Sequence, residues 1–363
     1  GSESELWISR NGGGRWERVR SNLPTTVVSD ILIHPRDNDL VVATHAHGVW
    51  VLDDVTSLAQ LSEEVQGANL HLFDIRPATQ YRLYSHKGST GHKFFAAPNP
   101  PEGALVDYWL KSRAGEKEEV KITISDASGK TVRELKGSKE AGINRANWDL
   151  RHEPPVEPEP GAPGFFGPSR GPLVPPGTYT VKLSLGSWSA SKPVVVEEDS
   201  RIGISEAERR QWYQACLDSA ALWKQTDAAN RKMSALRRQL TELQSTLEKD
   251  RQASAAVTSE VKKLAARVEE VARRLTIQRP LGFAGAPLAD EPEPLLSRVR
   301  GFYSTVGGYT APPTPQHAAL LERLKKQAAA VDGEVKTIVE KNVPALNRLL
   351  LDNGLGRLDA GRR

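Results

Sequence analysis

Three histidines and two pairs of aspartates are the residues whose types and spacing could do chemistry. His45 and His47 lie two apart, which puts both rings on one face of an extended strand, and His34 precedes them. Imidazoles so placed ligate a metal when further donors converge on them. No cysteine or compact carboxylate cluster stands nearby, so packing and hydrogen bonding at a strand edge is the favoured reading. Asp53-Asp54, with Asp37 and Asp39, would suit calcium or a glycosidase carboxylate pair. Both pairs sit at strand ends, however, where aspartate caps turns. His86 and His92 flank a glycine loop and read as surface residues. Cys216 is the single cysteine, which excludes an intrachain disulfide and a thiolate metal site. Its apolar helical neighbours mark it as a buried structural thiol. Gly12-Gly13-Gly14 lacks the strand-to-helix context of a phosphate loop, and neither a Gly-x-Ser-x-Gly elbow nor a His-Glu-x-x-His pair occurs. The expectation is therefore no catalytic set, no cofactor and no metal.

The elements that carry these residues are bounded by composition. A chain of 363 residues, 38% hydrophobic, has room for two or three domains, and no run approaches the roughly 20 apolar residues of a membrane span. The net charge of +4 arises from 49 basic and 45 acidic residues interspersed along the helices, which argues against nucleic acid as a partner. The only methionine is Met233, which fits a C-terminal piece of a larger protein, while Gly1-Ser2 fits a cloning remnant equally well.

The opening residues predict a tight hairpin. Leu6-Trp7-Ile8 is a short strand, Asn11-Gly12-Gly13 supplies the positive φ angles of the turn, and Trp16 opens the return strand Trp16 to Val19. Ser9, Asn11, Gly13 and Trp16 resemble the Asp-box, or BNR repeat, Ser/Thr-x-Asp-x-Gly-x-x-Trp, with Asn11 where the family has Asp. Asparagine keeps the turn-capping acceptor and loses the charge. Three further strands follow, Val28 to Pro35, which ends at its proline, Leu40 to Thr44 and Val49 to Leu52. The resemblance implies that residues 1–55 are the end of a β-propeller: the last two strands of one blade and three of another. A propeller needs about four to eight blades to close, and the missing strand and blades would come from the N-terminal part of the same protein or from another chain. Sialidases of this class gather an arginine cluster, a tyrosine nucleophile and an acid from several blades, a set that this chain alone does not assemble.

Residues 56–104 read as a connector, with a short helix from Thr56 to Glu64, a strand from Asn69 to Phe73, and loops. Residues 105–199 alternate as strands, including the hairpin Val120 to Leu135, a strand from Ala141 to Leu150 carrying Trp148, and a strand opened by Pro176-Gly177. The stretches Ile124 to Lys130, Gly142 to Asp149 and Pro176 to Val181 are similar, in order, to three motifs of the FlgD-type immunoglobulin-like domain, which implies a β-sandwich. Trp109, Trp148 and Tyr179 read as its core. A Pro/Gly-rich insertion, 154–176, places Phe165 and Phe166 as partner contacts or as a loop folded onto the sandwich or helices. Trp188, at a turn, is the other contact candidate.

From residue 200 the period becomes helical. Ser205 is an N-cap; Met233, Leu236, Leu240, Leu243 and Leu247 form one apolar stripe, and Val257 to Leu275 form a second. A break near 250–254 makes the pair an antiparallel, coiled-coil-like hairpin. Helices from Pro294 and from Thr314-Pro315 follow, and Pro344 kinks the last or begins a short one. The fold class expected is multidomain, β then α: terminal propeller blades, an immunoglobulin-like β-sandwich and an antiparallel helical bundle over 200–363.

This order resembles the C-terminal part of large bacterial sortilin-like or BNR-repeat proteins. It implies a secreted, periplasmic or cell-surface protein whose propeller binds a protein or glycan ligand. The function expected is a non-catalytic interaction and assembly module that braces the propeller, with oligomerisation or surface attachment as further roles. The alternatives are an accessory part of a secreted glycosidase or peptidase whose active site lies in upstream blades, and a coiled-coil adaptor using 205–276.

Overall fold

The computed structural model describes residues 1–19, 22–81, 97, 99–157, 169–249, 254–276 and 293–359. Phe165 and Phe166, as well as His86 and His92, lie outside the described residues. The chain forms two units: a β-rich one, Gly1–Glu153 with Val174–Gly203, and a helical one, Pro154–Leu173 with Ile204–Arg363. Among the described residues no helix is long and apolar enough to cross a membrane.

In the β-rich unit, β1 (Trp7–Ile8) and β2 (Glu17–Arg18) form the expected hairpin, with Trp7 opposite Arg18. The strands β3 (Val28–Ile33), β4 (Leu40–Thr44) and β5 (Val49–Leu52) make an antiparallel sheet in that order. Asn38 at φ 54° and Ala46 at φ 69° turn the chain between them, left-handed positions that Asn tolerates better than Ala. Two short helices follow, α1 (Thr56–Gln60) and α2 (Glu63–Gly67), the second capped by Ser62, whose hydroxyl accepts from the Val65 amide.

The segment read as a connector does more than connect, because it adds one strand to each of two sheets. β6 (Leu70–Leu72) pairs with β8 (Ala104–Leu110), which pairs with β11 (Gly142–Trp148). β7 (Ala78–Gln80) runs parallel to β13 (Trp188–Glu198), closing a five-stranded sheet in the order β10-β9-β12-β13-β7, where β9 is Lys121–Ser125, β10 Thr131–Lys136 and β12 Gly177–Leu185. Period-2 alternation buries one face: Tyr179, Val181, Leu183 and Leu185 on β12, and Ile122 and Ile124 on β9. Trp148 is fully buried and meets Tyr179 edge-on at 5.3 Å, while its indole N–H donates to the Arg151 carbonyl at 3.0 Å. Trp109 departs from the expected core role. It lies on the opposite face of β8 from Val106 and Tyr108 and is only half-buried. At the β9–β10 turn Asp126 accepts from the amides of Ser128 (2.9 Å) and Lys130 (3.0 Å), and Gly129 takes φ 82°. These hydrogen bonds, led by the Ser128 hydroxyl, hold the Asp126 carboxyl below its ordinary pKa.

In the helical unit α3 (Glu206–Lys249) spans 44 residues, about 66 Å at the helical rise. Ser205 and Glu208 cap it reciprocally: the Ser205 amide donates to the Glu208 carboxylate at 2.8 Å and the Glu208 amide to the Ser205 hydroxyl at 3.3 Å. Met233, Leu236, Leu240 and Leu247 are buried, as are Val257, Val261, Leu264, Val268, Val271 and Leu275 of α4 (Ala255–Leu275); Leu243 is partly exposed. Arg237 and Glu269 pair across α3 and α4 at 2.7 Å. Cys216 is buried.

The remaining helices are α5 (Leu295–Gly307), α6 (Pro315–Thr337) and α7 (Val343–Asp352). Thr314 caps α6 and His317 completes the capping box. Between α6 and α7 the backbone widens into a π-helical turn, Ile338–Asn342, where the Val343 amide reaches back five residues to Ile338. Pro344 explains it: with no N–H of its own, and a ring that would strike the carbonyl four residues back, it cannot continue an α-helix undisturbed.

Candidate functional site

The hairpin turn is built by two side chains. The Ser9 hydroxyl accepts from the Gly13 amide at 2.7 Å, and the Asn11 carbonyl oxygen accepts from the Arg15 amide at 2.8 Å and from the Ser9 hydroxyl at 3.2 Å. Gly12 and Gly13 stand at φ 68° and 95°, where a side chain would be strained. Ser9, Asn11 and Gly13 are thus brought together, as their spacing predicts, while the Trp16 ring at the end of the turn is 59% exposed. Arg10 anchors the hairpin, pairing with Glu17 and donating to the Leu61 carbonyl at 2.7 Å.

The sheet β3-β4-β5 is the unusual surface. Successive residues of a strand face opposite sides, yet Leu32 and Ile33 are 57% and 55% exposed, and Val49, Val51 and Leu52 are exposed as well. Only Val42 on the central strand is buried. Apolar side chains therefore meet solvent on both faces, and among the described residues no further strand pairs with the outer edge of β3 or β5. Part of the β3 edge is satisfied locally, the Val28 amide donating to the Ser2 carbonyl at 3.1 Å and the Ile31 amide to the Asp30 carboxylate at 2.8 Å. A sheet of this kind gains little from its own burial.

The chemistry-bearing residues of the sequence are placed as turn builders. Asp39 accepts from the Asp54 amide at 2.9 Å, and Asp54, at φ 46°, accepts from the Thr56 amide at 3.1 Å. The Asp37 carboxyl is held below its ordinary pKa by its hydrogen bond to Arg36, and burial raises that of Asp53, with Asp39 adding to the rise and Arg145 opposing it. His34 Nδ1 lies 3.2 Å from the Asp37 carboxylate, and His47 Nδ1 lies 3.2 Å from the Thr26 hydroxyl. Among the described residues no three His, Cys, Asp or Glu side chains are placed to hold a metal ion. Trp188 is the first residue of β13, half-exposed and opposite Leu185.

Sequence reasoning missed the polar hub that ties the end of this sheet to β8 and β11. Arg145 stands opposite Asp107 across the strand pair and donates to its carboxylate through Nε at 2.7 Å and through a terminal nitrogen at 2.8 Å. The guanidinium also donates to the carbonyls of Asp53 (2.6 Å) and Asp54 (2.7 Å), and the Ser57 hydroxyl of α1 donates to Asp107 at 2.6 Å. Asp107 is 7% exposed. The Asp107 hydrogen bond, more than anything else, raises the Arg145 pKa above its ordinary value. The planar fork suits a carboxylate on one side and two carbonyls on the other. The hub fixes the position of the chain after β5 against β8 and β11. The available signal was a lone Asp inside the apolar run Leu105 to Leu110, since a buried carboxylate requires a partner.

Comparison with protein-family models gives no match, and comparison with curated proteins gives none either. The reading of this surface therefore rests on its own geometry: a capped hairpin beside a sheet that is apolar on both faces, held to the remainder of the β-rich unit by a bidentate arginine.

Proposed function

We propose that the chain is a non-catalytic interaction and assembly module of a secreted, periplasmic or cell-surface β-propeller protein, with residues 1–55 completing a propeller whose other blades lie in further sequence of the same protein or in a partner chain. One observation carries the reading: the β3-β4-β5 sheet exposes apolar side chains on both faces and, among the described residues, pairs with no further strand at either edge, as a propeller blade without its neighbours would. The Ser9 and Asn11 hydrogen bonds across the hairpin turn support the Asp-box likeness. The five- and three-stranded sheets sharing Trp148 and Tyr179 in their core suit an immunoglobulin-like sandwich, and the apolar seam of α3 and α4 suits a helical bundle. On this reading both brace the propeller, and the Arg145 hub transmits that bracing to the last blade.

A photocross-linking residue at Leu32 or Val51, introduced into the protein in its native source, tests the proposal. The expected product joins this position to polypeptide carrying Ser/Thr-x-Asp-x-Gly-x-x-Trp repeats, while the same group at the exposed Lys136 gives no such product. Cross-links only to a second copy of this chain, or to nothing, overturn the proposal.

A further inference from the structure

We infer that the helical unit contains a binding site for an extended, leucine-bearing peptide, which the chain fills with its own residues 355–359. After α7 the backbone turns at Gly354, φ 70°, and the amides of Gly354 and Leu355 cap the helix by donating to Leu351 and Leu350 at 3.0 and 2.9 Å. The next residues lie between α7 and α3, held by two side-chain carboxamides. Asn347 of α7 donates to the Leu358 carbonyl at 2.9 Å and accepts from the Leu358 amide at 2.8 Å. Gln239 of α3 does the same for the following residue, donating to the Asp359 carbonyl at 2.9 Å and accepting from the Asp359 amide at 2.7 Å.

This arrangement has a simple geometric reason. In an extended chain the N–H and C=O of one residue point to the same side, and those of the next residue point to the other. A carboxamide on each side therefore satisfies both backbone groups of each residue, as a neighbouring β-strand would. These bonds read the backbone and ignore side-chain identity. Selectivity comes from Leu358, which is 7% exposed and joins the helical core, whereas Arg357 and Asp359 on either side of it are exposed. The class of ligand is thus an extended peptide with one buried leucine anchor, a second, partly buried leucine three residues before it at the Leu355 position, and exposed residues immediately on either side of the anchor free to vary, the division of labour seen in strand-addition recognition. Leu358 lies only a few residues beyond the end of α7, so the resident segment competes at an effective concentration of millimolar order.

The test uses the full chain and a dye-labelled peptide, Asn-Gly-Leu-Gly-Arg-Leu-Asp, matching residues 353–359. Leu358→Asp in the protein releases the resident segment. Fluorescence anisotropy is expected to show saturable binding to this variant and binding weaker by about tenfold or more to the unsubstituted chain, where the resident competes. Adding Gln239→Leu and Asn347→Leu to the released variant is expected to abolish binding, as is replacing the peptide's second leucine by Asp. No saturable binding to the folded released variant, or equal binding without the two carboxamides, overturns the inference. Should Leu358→Asp unfold the helical unit, hydrogen exchange on the unsubstituted chain decides instead. Excess unlabelled peptide is expected to accelerate exchange at Leu358 and Asp359, and unchanged protection overturns the inference.

Discussion

Replacing Arg145 by Met removes the guanidinium while leaving Asp107, Ser57 and the strand pairing in place. Four hydrogen bonds of 2.6–2.8 Å are lost, and Asp107 keeps only the Ser57 hydroxyl. Removing one partner of a buried ion pair costs about 3–5 kcal/mol. Because the Arg145 side chain is 32% exposed, water reaches part of the site, and the lower end, about 3 kcal/mol, is expected. The double substitution Asp107→Leu with Arg145→Met takes away the stranded charge. It should cost about 2 kcal/mol, less than the sum of the two singles, the share left by the buried Ser57 hydroxyl and the orphaned carbonyls of Asp53 and Asp54. Hydrogen exchange followed by mass spectrometry on peptides covering 104–110 and 142–148 reads the stability of this unit without interference from the helices. A loss below about 1 kcal/mol for Arg145→Met, or a double variant that costs the sum of the two singles, would refute the assignment of a coupled, buried pair.

Three further predictions concern single positions. Gly103→Ala should destabilise the β-rich unit by about 3 kcal/mol or more, read by the same exchange experiment, because Gly103 sits at φ 106° and an added Cβ would come within 2.0 Å of the Trp148 carbonyl oxygen. Burial pushes the Tyr108 phenol up to about 12, and the neutral phenol donates to the Ser138 carbonyl at 2.7 Å. A folded-state pKa above the unfolded one means stability that is whole below pH 10 and lost as pH rises toward 12. Urea midpoints measured over that window should fall for the natural chain, and less steeply for Tyr108→Phe. Thr314→Ala removes the hydroxyl that accepts from the His317 amide at 3.2 Å, and it should lower the melting temperature of the helical unit through a loss of about 1 kcal/mol.

How much of this was legible in the sequence depended on whether the signal was local. The α3 and α4 stripes, the Ser205 and Thr314 caps and the Asn11-Gly12-Gly13 turn are set by residues within a few positions of one another, and each stands where the pattern puts it. The three-residue strands β6 and β7 are less visible: the pattern marks β6 but not β7, because so short a strand is defined by its partner and carries little alternation of its own. The Arg145 hub joins positions 38 and more residues apart, and the carboxamide clamp on Leu358 and Asp359 joins α3 to a segment 120 residues later. Neither leaves a spacing signature, so only the lone Asp107 in an apolar strand pointed toward one of them. The π-helical turn was foreshadowed by Pro344, although proline alone does not distinguish a kink from a widened turn.

The central claim, that β3-β4-β5 is an unfinished blade, is tested most directly by hydrogen exchange at the amides of β5 that do not face β4. These are compared between the purified chain and the complex recovered through the Leu32 cross-link. The account predicts rapid exchange in the chain alone and protection greater by about 100-fold or more in the complex, where another strand and another blade cover the sheet. Equal exchange in the two samples would contradict it.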